Sequence, residues 1–149
     1  MLGEGISLRL ATSDDLERMV EIENECFTEL RRFDRKYLET CLTSKLFIVA
    51  EIEGAVVGFA VCRADPSEAY LLTLDVHPDF RLLGVAKTLM AATEGTLTTT
   101  HVGRVSLHVE VNNSEAITFY KKAGYNIVNH VVRFYRDGAD AFEMSKPLS

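Results

Sequence analysis

No apolar run in this chain approaches the ~20 residues that a bilayer-spanning helix needs, so no membrane partner is expected. Its first residues, MLGEGISLRL, lack the basic-then-apolar order of a secretory leader. Cysteine is scarce: Cys26, Cys41 and Cys62 are an odd number without Cys-x-x-Cys spacing. That argues against a disulfide framework and fits reduced, packed thiols in a cytoplasmic protein. Positive charge is in deficit, with 16 Lys and Arg against 22 Asp and Glu and a net charge of −6. Phosphate binding needs a basic surplus, so nucleic acid is not expected as a direct partner, whereas a mildly acidic surface is compatible with a cationic substrate. His77, His101 and His130 share no ligand spacing with one another or with cysteine, and no metal is expected. Repeats, low-complexity tracts and linkers are absent, so residues 1–149 read as one domain.

What is present is an ordinary globular mixture, 47% hydrophobic and 26% charged. Ile6 to Leu10 alternates as a short strand, and Thr12-Ser13-Asp14-Asp15 offers oxygen acceptors to the first turn of a helix. Leu16, Met19, Val20, Cys26 and Phe27 follow helical spacing, and a second helix is predicted over Asp34 to Leu42. Leu46 to Ile52 and Ala55 to Cys62 are β-rich runs joined by a Glu53-Gly54 turn, and Glu68 to Val76 is the next strand. A helix is expected from Val85 to about Leu97, a strand from Arg104 to Val111, and a helix from Ser114 to Ala123 closed by Gly124. Asn126 to Phe134 and Ala139 to Lys146 complete the chain as strands. The order β-α-α-β-β-β-α-β-α-β-β describes an α/β (α+β) domain, a mixed sheet of about seven strands with helices on both faces.

Chemistry concentrates where Leu74-Asp75-Val76 runs through a short loop into a helix at Val85. A helix N-terminus presents unpaired N–H groups and a positive dipole end, which suits an anion such as pyrophosphate. Gly84 permits close backbone approach and Ala86 adds little bulk. The same segment also fits a plain strand-loop-helix connection, since one glycine is a weak motif.

The spacing Arg81-x-x-Gly84-x-Ala86 resembles the pyrophosphate loop of GNAT acetyltransferases. Asn113-x-x-Ala116-x-x-x-Tyr120-x-x-x-Gly124-Tyr125 is similar to the second cofactor motif of that family, and the element order from Ile6 to Leu148 agrees with its fold. The resemblance implies acetyl-CoA as co-substrate, lying like an added strand between splayed fourth and fifth strands. It implies cofactor contacts from Leu74, Asp75, Val76, Arg81, Leu82, Leu83, Gly84, Val85, Ala86, Lys87, Asn113 and Tyr120. An amide near Val76 would steady the oxyanion, and Tyr120 would protonate the leaving thiolate. Tyr120 also shares an apolar helical face with Ala116 and Ile117, so packing competes with that role. Leu82-Leu83 departs from the basic and polar residues common in this loop, which shifts pyrophosphate binding toward backbone amides.

Three further segments resemble the N-terminal acetyltransferase branch, of the RimI, NatA and NatE catalytic-subunit type. These are Leu107-His108-Val109, Tyr70, and the run from Phe134 to Ala141. The likeness implies a protein or peptide N-terminus as acceptor, with a ribosome or auxiliary subunit as further partner. An α-amine with pKa about 7.7–8.0 must lose a proton before it attacks a thioester. An imidazole of pKa about 6.5 suits that task. His108 is therefore the expected base, with Tyr70 as partner and Glu110, on the same strand face, as a group that would orient it. A structural hydrogen bond is the competing role of His108. Phe27, Glu29 and Tyr135 are the expected acceptor contacts, with core packing the alternative for Phe27. Two other functions stay open: acetylation of a small amine, and a non-catalytic acyl-CoA-binding protein.

Overall fold

The computed structural model describes residues 5–148. Seven strands form one sheet: β1 (Ile6–Leu10), β2 (Leu46–Ile52), β3 (Ala55–Ala64), β4 (Glu68–Val76), β5 (Arg104–Glu110), β6 (Asn126–Val131) and β7 (Ala141–Pro147). Their spatial order is β1-β2-β3-β4-β5-β7-β6. Every neighbouring pair is antiparallel except β4 and β5, which run parallel.

Strand alternation sends two sets of side chains to opposite faces. Phe47, Val49, Phe59 and Val61 pack under α1 (Leu16–Cys26) and α2 (Arg35–Ser44), with Leu16, Met19, Ile22 and Leu38 fully buried. Ile48, Ala60, Leu107 and Met144 meet α3 (Val85–Thr99) and α4 (Ser114–Lys122) on the other face, around Leu89, Met90, Leu97 and Tyr125. Local chemistry sets the helix starts. The Asp34 carboxylate accepts the Tyr37 N–H at 2.8 Å to begin α2, and Asn113 does the same for the Ala116 N–H at 3.1 Å in α4. Asp15 accepts the Thr12 N–H at 2.8 Å and pairs with Arg9 at 2.7 Å. The Arg9 guanidinium holds the Asp15 carboxyl below its ordinary range. At the β2–β3 turn Glu53 and Gly54 both have positive φ (52° and 81°), the type I′ geometry that suits a two-residue hairpin.

Several boundaries differ from the sequence expectation. β6 stops at Val131, not Phe134, and β7 begins at Ala141, not Ala139. Between them Asp140 accepts the Arg133 N–H at 2.9 Å and Asp137 accepts the Ala139 N–H at 3.0 Å. Side chains there supply what a ladder would otherwise provide, so the segment is a loop. α2 continues to Ser44 and α3 to Thr99.

The decisive feature is the parallel pair. β4 and β5 are joined at only three positions, Glu68↔Arg104, Ala69↔Val105 and Tyr70↔Ser106, and then part. Opposite this point β4 carries a bulge against β3, where Leu72 has no counterpart between the Cys62↔Leu71 and Val61↔Thr73 pairs. A bulge bends its strand and increases the local twist. Beyond it, the His77 N–H donates to the Val57 carbonyl at 2.8 Å. Antiparallel alternation then turns the backbone of Thr73 and Asp75 toward β3 and that of Leu74 and Val76 into the gap.

Close packing of α3 on β3 depends on Gly58. A Cβ there would lie 2.7 Å from the Asp75 carbonyl oxygen and 3.1 Å from a methyl of Val85. Gly58→Ala should therefore lower unfolding free energy by ~1–3 kcal/mol, read as a shifted urea midpoint at unchanged m-value. An unshifted midpoint would disprove this close approach.

Candidate active site

The gap between β4 and β5 opens onto the N-terminus of α3. After β4 the chain makes a single 3₁₀ turn at Pro78–Phe80, then passes Arg81, Leu82 and Leu83 to Gly84, the N-cap of α3, at φ 86°. That left-handed conformation costs glycine little. Leu82 adopts φ 66° and is 88% exposed, so the two leucines lend the loop no charge and leave the first-turn amides of α3 as its polar groups. Arg81 folds back, its Nε donating to the Val76 carbonyl at 3.2 Å, and the Cys26 thiol donates to the same oxygen at 3.3 Å. Burial pushes that thiol up to about 11.

The expected cofactor residues run from β4 through the loop into α3, with Asn113 and Tyr120 added from α4, and they differ in what they expose. Leu74 and Val76 offer backbone to the gap, while Ala86 and the exposed Lys87 lie in the first turn of α3. The Val85 side chain is buried in the core. Asp75 departs from expectation: its backbone faces β3, and its side chain is 1% exposed, accepting the Thr73 hydroxyl and lying near the Glu23 carboxyl of α1. Tyr120 comes from α4 and packs edge-on against Phe119 and Tyr125, at centroid distances of 5.2 and 5.8 Å. Burial raises its pKa, with the charges of Asp75 and Tyr135 adding to the effect, so its hydroxyl is protonated at neutral pH. Asn113 uses its carbonyl oxygen as the α4 cap.

On the α1/α2 side of the gap, β4 and β5 bring Tyr70 and His108 together, with Tyr70 Oη 2.5 Å from His108 Nδ1. Phe134 stacks on the imidazole at 4.0 Å between centroids and 9° between planes. Burial lowers the His108 pKa below 6.5, and the carboxylate of Glu143 opposes this only partly. Burial also pushes Tyr70 up to about 12, which removes phenolate from its chemistry near neutrality. Glu110 does not orient the histidine. Its carboxylate accepts the Asn112 N–H and faces Arg31 at 3.6 Å. The carboxylate beside His108 is Glu143, its cross-strand partner on β7.

Arg31, between α1 and α2, ties two loops over this face. Its Nε bonds Asp137 at 2.7 Å, and its guanidinium lies 4.3 Å above the half-buried Tyr135 ring. Phe27 is half-buried just beyond α1, and Glu29 is exposed. Neither Arg31, Glu143 nor the stacking of Phe134 was anticipated. The β5–β7 register alone aligns His108 with Glu143, and nothing in the sequence marks Arg31 among the charges of its loop. Among the described residues no group of three or more His, Cys, Asp or Glu is arranged to hold a metal ion, and no helix is long and apolar enough to cross a membrane.

Comparison with known proteins agrees with this architecture. Residues 16–125 match the model of the Acetyltransferase (GNAT) family. The N-alpha-acetyltransferase daf-31 of Caenorhabditis elegans is 30% identical, over 97% of this chain and 84% of its own. The crystal structure of Ard1 from Thermoplasma volcanium superposes with a TM-score of 0.92 at 28% identity, covering 97% of this chain and 99% of that one. Arabidopsis thaliana Naa50, in complex with the bisubstrate analogue CoA-Ac-MVNAL, shares the fold with a TM-score of 0.84 at 24% identity, over 95% of this chain and 98% of that one. The split sheet, the glycine-capped α3 and these matches lead to one assignment: the chain belongs to the GNAT family of acetyltransferases.

Proposed function

We propose that the protein transfers the acetyl group of acetyl-CoA to the α-amine of protein N-termini, by direct attack with both substrates bound. One observation carries this reading: a histidine–tyrosine pair, His108 and Tyr70, sits at the point where β4 and β5 part, beside the free backbone edge of β4. The named activity of the C. elegans relative and the bisubstrate analogue on the Arabidopsis protein support the same acceptor.

In this mechanism the pantetheine arm lies along Leu74 and Val76, and its pyrophosphate meets the amides from Gly84 to Lys87. The acceptor enters between the loops that Arg31 ties, past Phe27, Glu29 and Tyr135. With the Nδ1 proton of His108 directed at the Tyr70 oxygen, the Nε2 lone pair is free to take the amine proton, directly or through water. The deprotonated nitrogen attacks the thioester carbon, and the Val76 amide steadies the oxyanion. As the tetrahedral centre collapses, the C–S bond breaks, Tyr120 gives its proton to sulfur, and the surplus proton on the attacking nitrogen leaves through water to restore the Tyr120 phenol. Cytoplasmic action accords with the free thiols of Cys26, Cys41 and Cys62. A ribosome or auxiliary subunit would be the further partner.

Because burial already keeps His108 neutral near pH 7, turnover on short peptides should rise with pH mainly through the amine, at about 7.7–8.0. His108→Ala should lose ~10²–10⁴-fold in turnover at pH 7 with acetyl-CoA affinity unchanged, and regain part of the loss at higher pH. Normal peptide turnover in that folded variant would remove His108 from the mechanism. Good activity on polyamines with none on peptides would instead favour a small-amine enzyme.

Acetyl-CoA should raise the melting temperature, by ~2.7 kcal/mol of stabilisation at a hundredfold excess over Kd. Gly84→Val, which forces a β-branched residue to φ near 86°, should melt cooperatively at a lower temperature and lose that ligand-induced shift. A retained shift would overturn the assignment of the α3 N-terminus to the cofactor.

Tyr120→Phe should bind acetyl-CoA as tightly as the wild type yet turn over ~10²-fold or more slowly. Turnover at the wild-type rate in stopped-flow single-turnover assays would return Tyr120 to packing alone.

A further inference from the structure

Two carboxyl groups lie deep between α1 and β4, each 1% exposed: Glu23 and Asp75. Their other oxygens are occupied. Glu23 Oε2 accepts the Phe33 N–H at 2.9 Å, and Asp75 Oδ1 accepts the Thr73 hydroxyl. The remaining oxygens, Glu23 Oε1 and Asp75 Oδ2, are buried with no hydrogen-bond partner among the described residues. The two carboxyls nevertheless lie close enough to bear on each other's ionisation, within reach of one shared proton. Two carboxylates cannot bond without a proton between them, and isolated buried charges are costly.

The position of this pair gives it a consequence. Asp75 lies between Leu74 and Val76, whose backbone faces the β4–β5 gap. Glu23, through the Phe33 N–H, ties down the far end of the segment that contains Phe27, Glu29 and Arg31. We infer that Glu23 is a positioning residue, and that the proton it shares with Asp75 holds the acceptor segment Phe27–Phe33 against the cofactor strand. The functional half of this inference rests on the acceptor reading proposed above.

The surrounding groups set the direction of its pH response. Arg81, from the loop after β4, favours the ionised form of Asp75 through its charge. Cys26 on α1 and Tyr120 on α4 both feel Asp75 and are themselves neutral near pH 7. Burial and Glu23 outweigh Arg81, and Asp75 is held well above its ordinary value of 3.8. A proton bound more tightly in the folded state stabilises that state fully below 3.8, and this stabilisation is lost as the pH climbs through the raised value. Loosening of the acceptor segment should follow the same window.

Glu23→Gln and Glu23→Ala separate the alternatives. Glutamine can accept the Phe33 N–H and donate an N–H to Asp75, so it replaces the shared proton with one that cannot titrate. Alanine removes both bonds. In Glu23→Ala the Phe33 amide should exchange with deuterium at least about tenfold faster, and acceptor KM should rise by about the same factor, since one charged hydrogen bond is worth at least that. Acetyl-CoA affinity should stay unchanged. Glu23→Gln should restore Phe33 protection and acceptor KM to near wild-type values. Carboxyl ¹³C NMR should show a buried acid of wild-type protein titrating above the ordinary range, and in Glu23→Gln this titration should move downward, since the amide donates to Asp75 and the neighbouring carboxyl is gone while burial remains. Unchanged Phe33 exchange in Glu23→Ala would overturn the inference. So would a Gln variant as impaired as the Ala variant, or a wild-type protein with no raised carboxyl titration. If wild-type protein acetylates no peptide, the acceptor reading fails, while the exchange and NMR measurements still decide whether Glu23 holds the segment.

Discussion

A sheet normally satisfies its backbone by pairing every interior strand on both sides, and here one interior pair is left unfinished. β4 and β5 are joined at three positions and then separate, which leaves the Leu74 backbone and the Val76 N–H facing a gap inside the sheet, while Arg81 and Cys26 occupy the Val76 carbonyl. An edge of this kind is a template for any extended group that carries amides. The rest of the molecule is arranged around it. α3 begins where the gap ends and turns its free amides toward it, α4 supplies Tyr120 from one face, and α1 with the loops beyond it covers the other. The bulge at Leu72 bends β4 close to where β5 leaves it.

Protonation follows burial throughout the site. Tyr70, Tyr120 and Tyr135 are all shifted up by desolvation, and His108 is shifted down by the same cause. Each shift favours the neutral form, so near neutral pH the site offers proton donors in its phenols and a proton acceptor in its imidazole. Charge is confined to its borders. Arg31, Asp137 and Glu110 form a half-buried network above the gap, and Arg81 lies below it. Such a division suits a reaction whose reactants include an amine that must be neutral when it attacks.

Much of this is legible in the sequence. Alternation identified the strands, and the glycine preceding a helical run identified the capped N-terminus of α3. Tyr70 and His108, singled out from separate strands, meet in space. What escaped notice depends on pairings that no local pattern encodes. Glu143 is the neighbour of His108 only through the β5–β7 register, whereas Glu110, on the same strand face as His108, turns to Asn112 and Arg31. Asp75 sits within the cofactor segment, yet a period of two turns its side chain to the opposite face, toward Glu23. The ends of β6 and β7 were misread because Val132 to Phe134 retain a strand-like composition, while Asp137 and Asp140 divert the backbone into a loop.

The position of the gap divides the chain as well as the sheet. Every strand on one side of it, β1 to β4, precedes residue 77, and every strand on the other, β5, β7 and β6, follows residue 103. Only α3 stands between them in sequence. During synthesis the first side, with α1 and α2 on one face and α3 on the other, can therefore emerge and pack before β5 exists. At that stage the whole length of β4 is an outer edge, and not only its last residues. Later arrival of β5 closes three positions and stops. The open edge is thus what remains of a temporary border, kept open because the final strands dock at one end of β4 and lean away from the other.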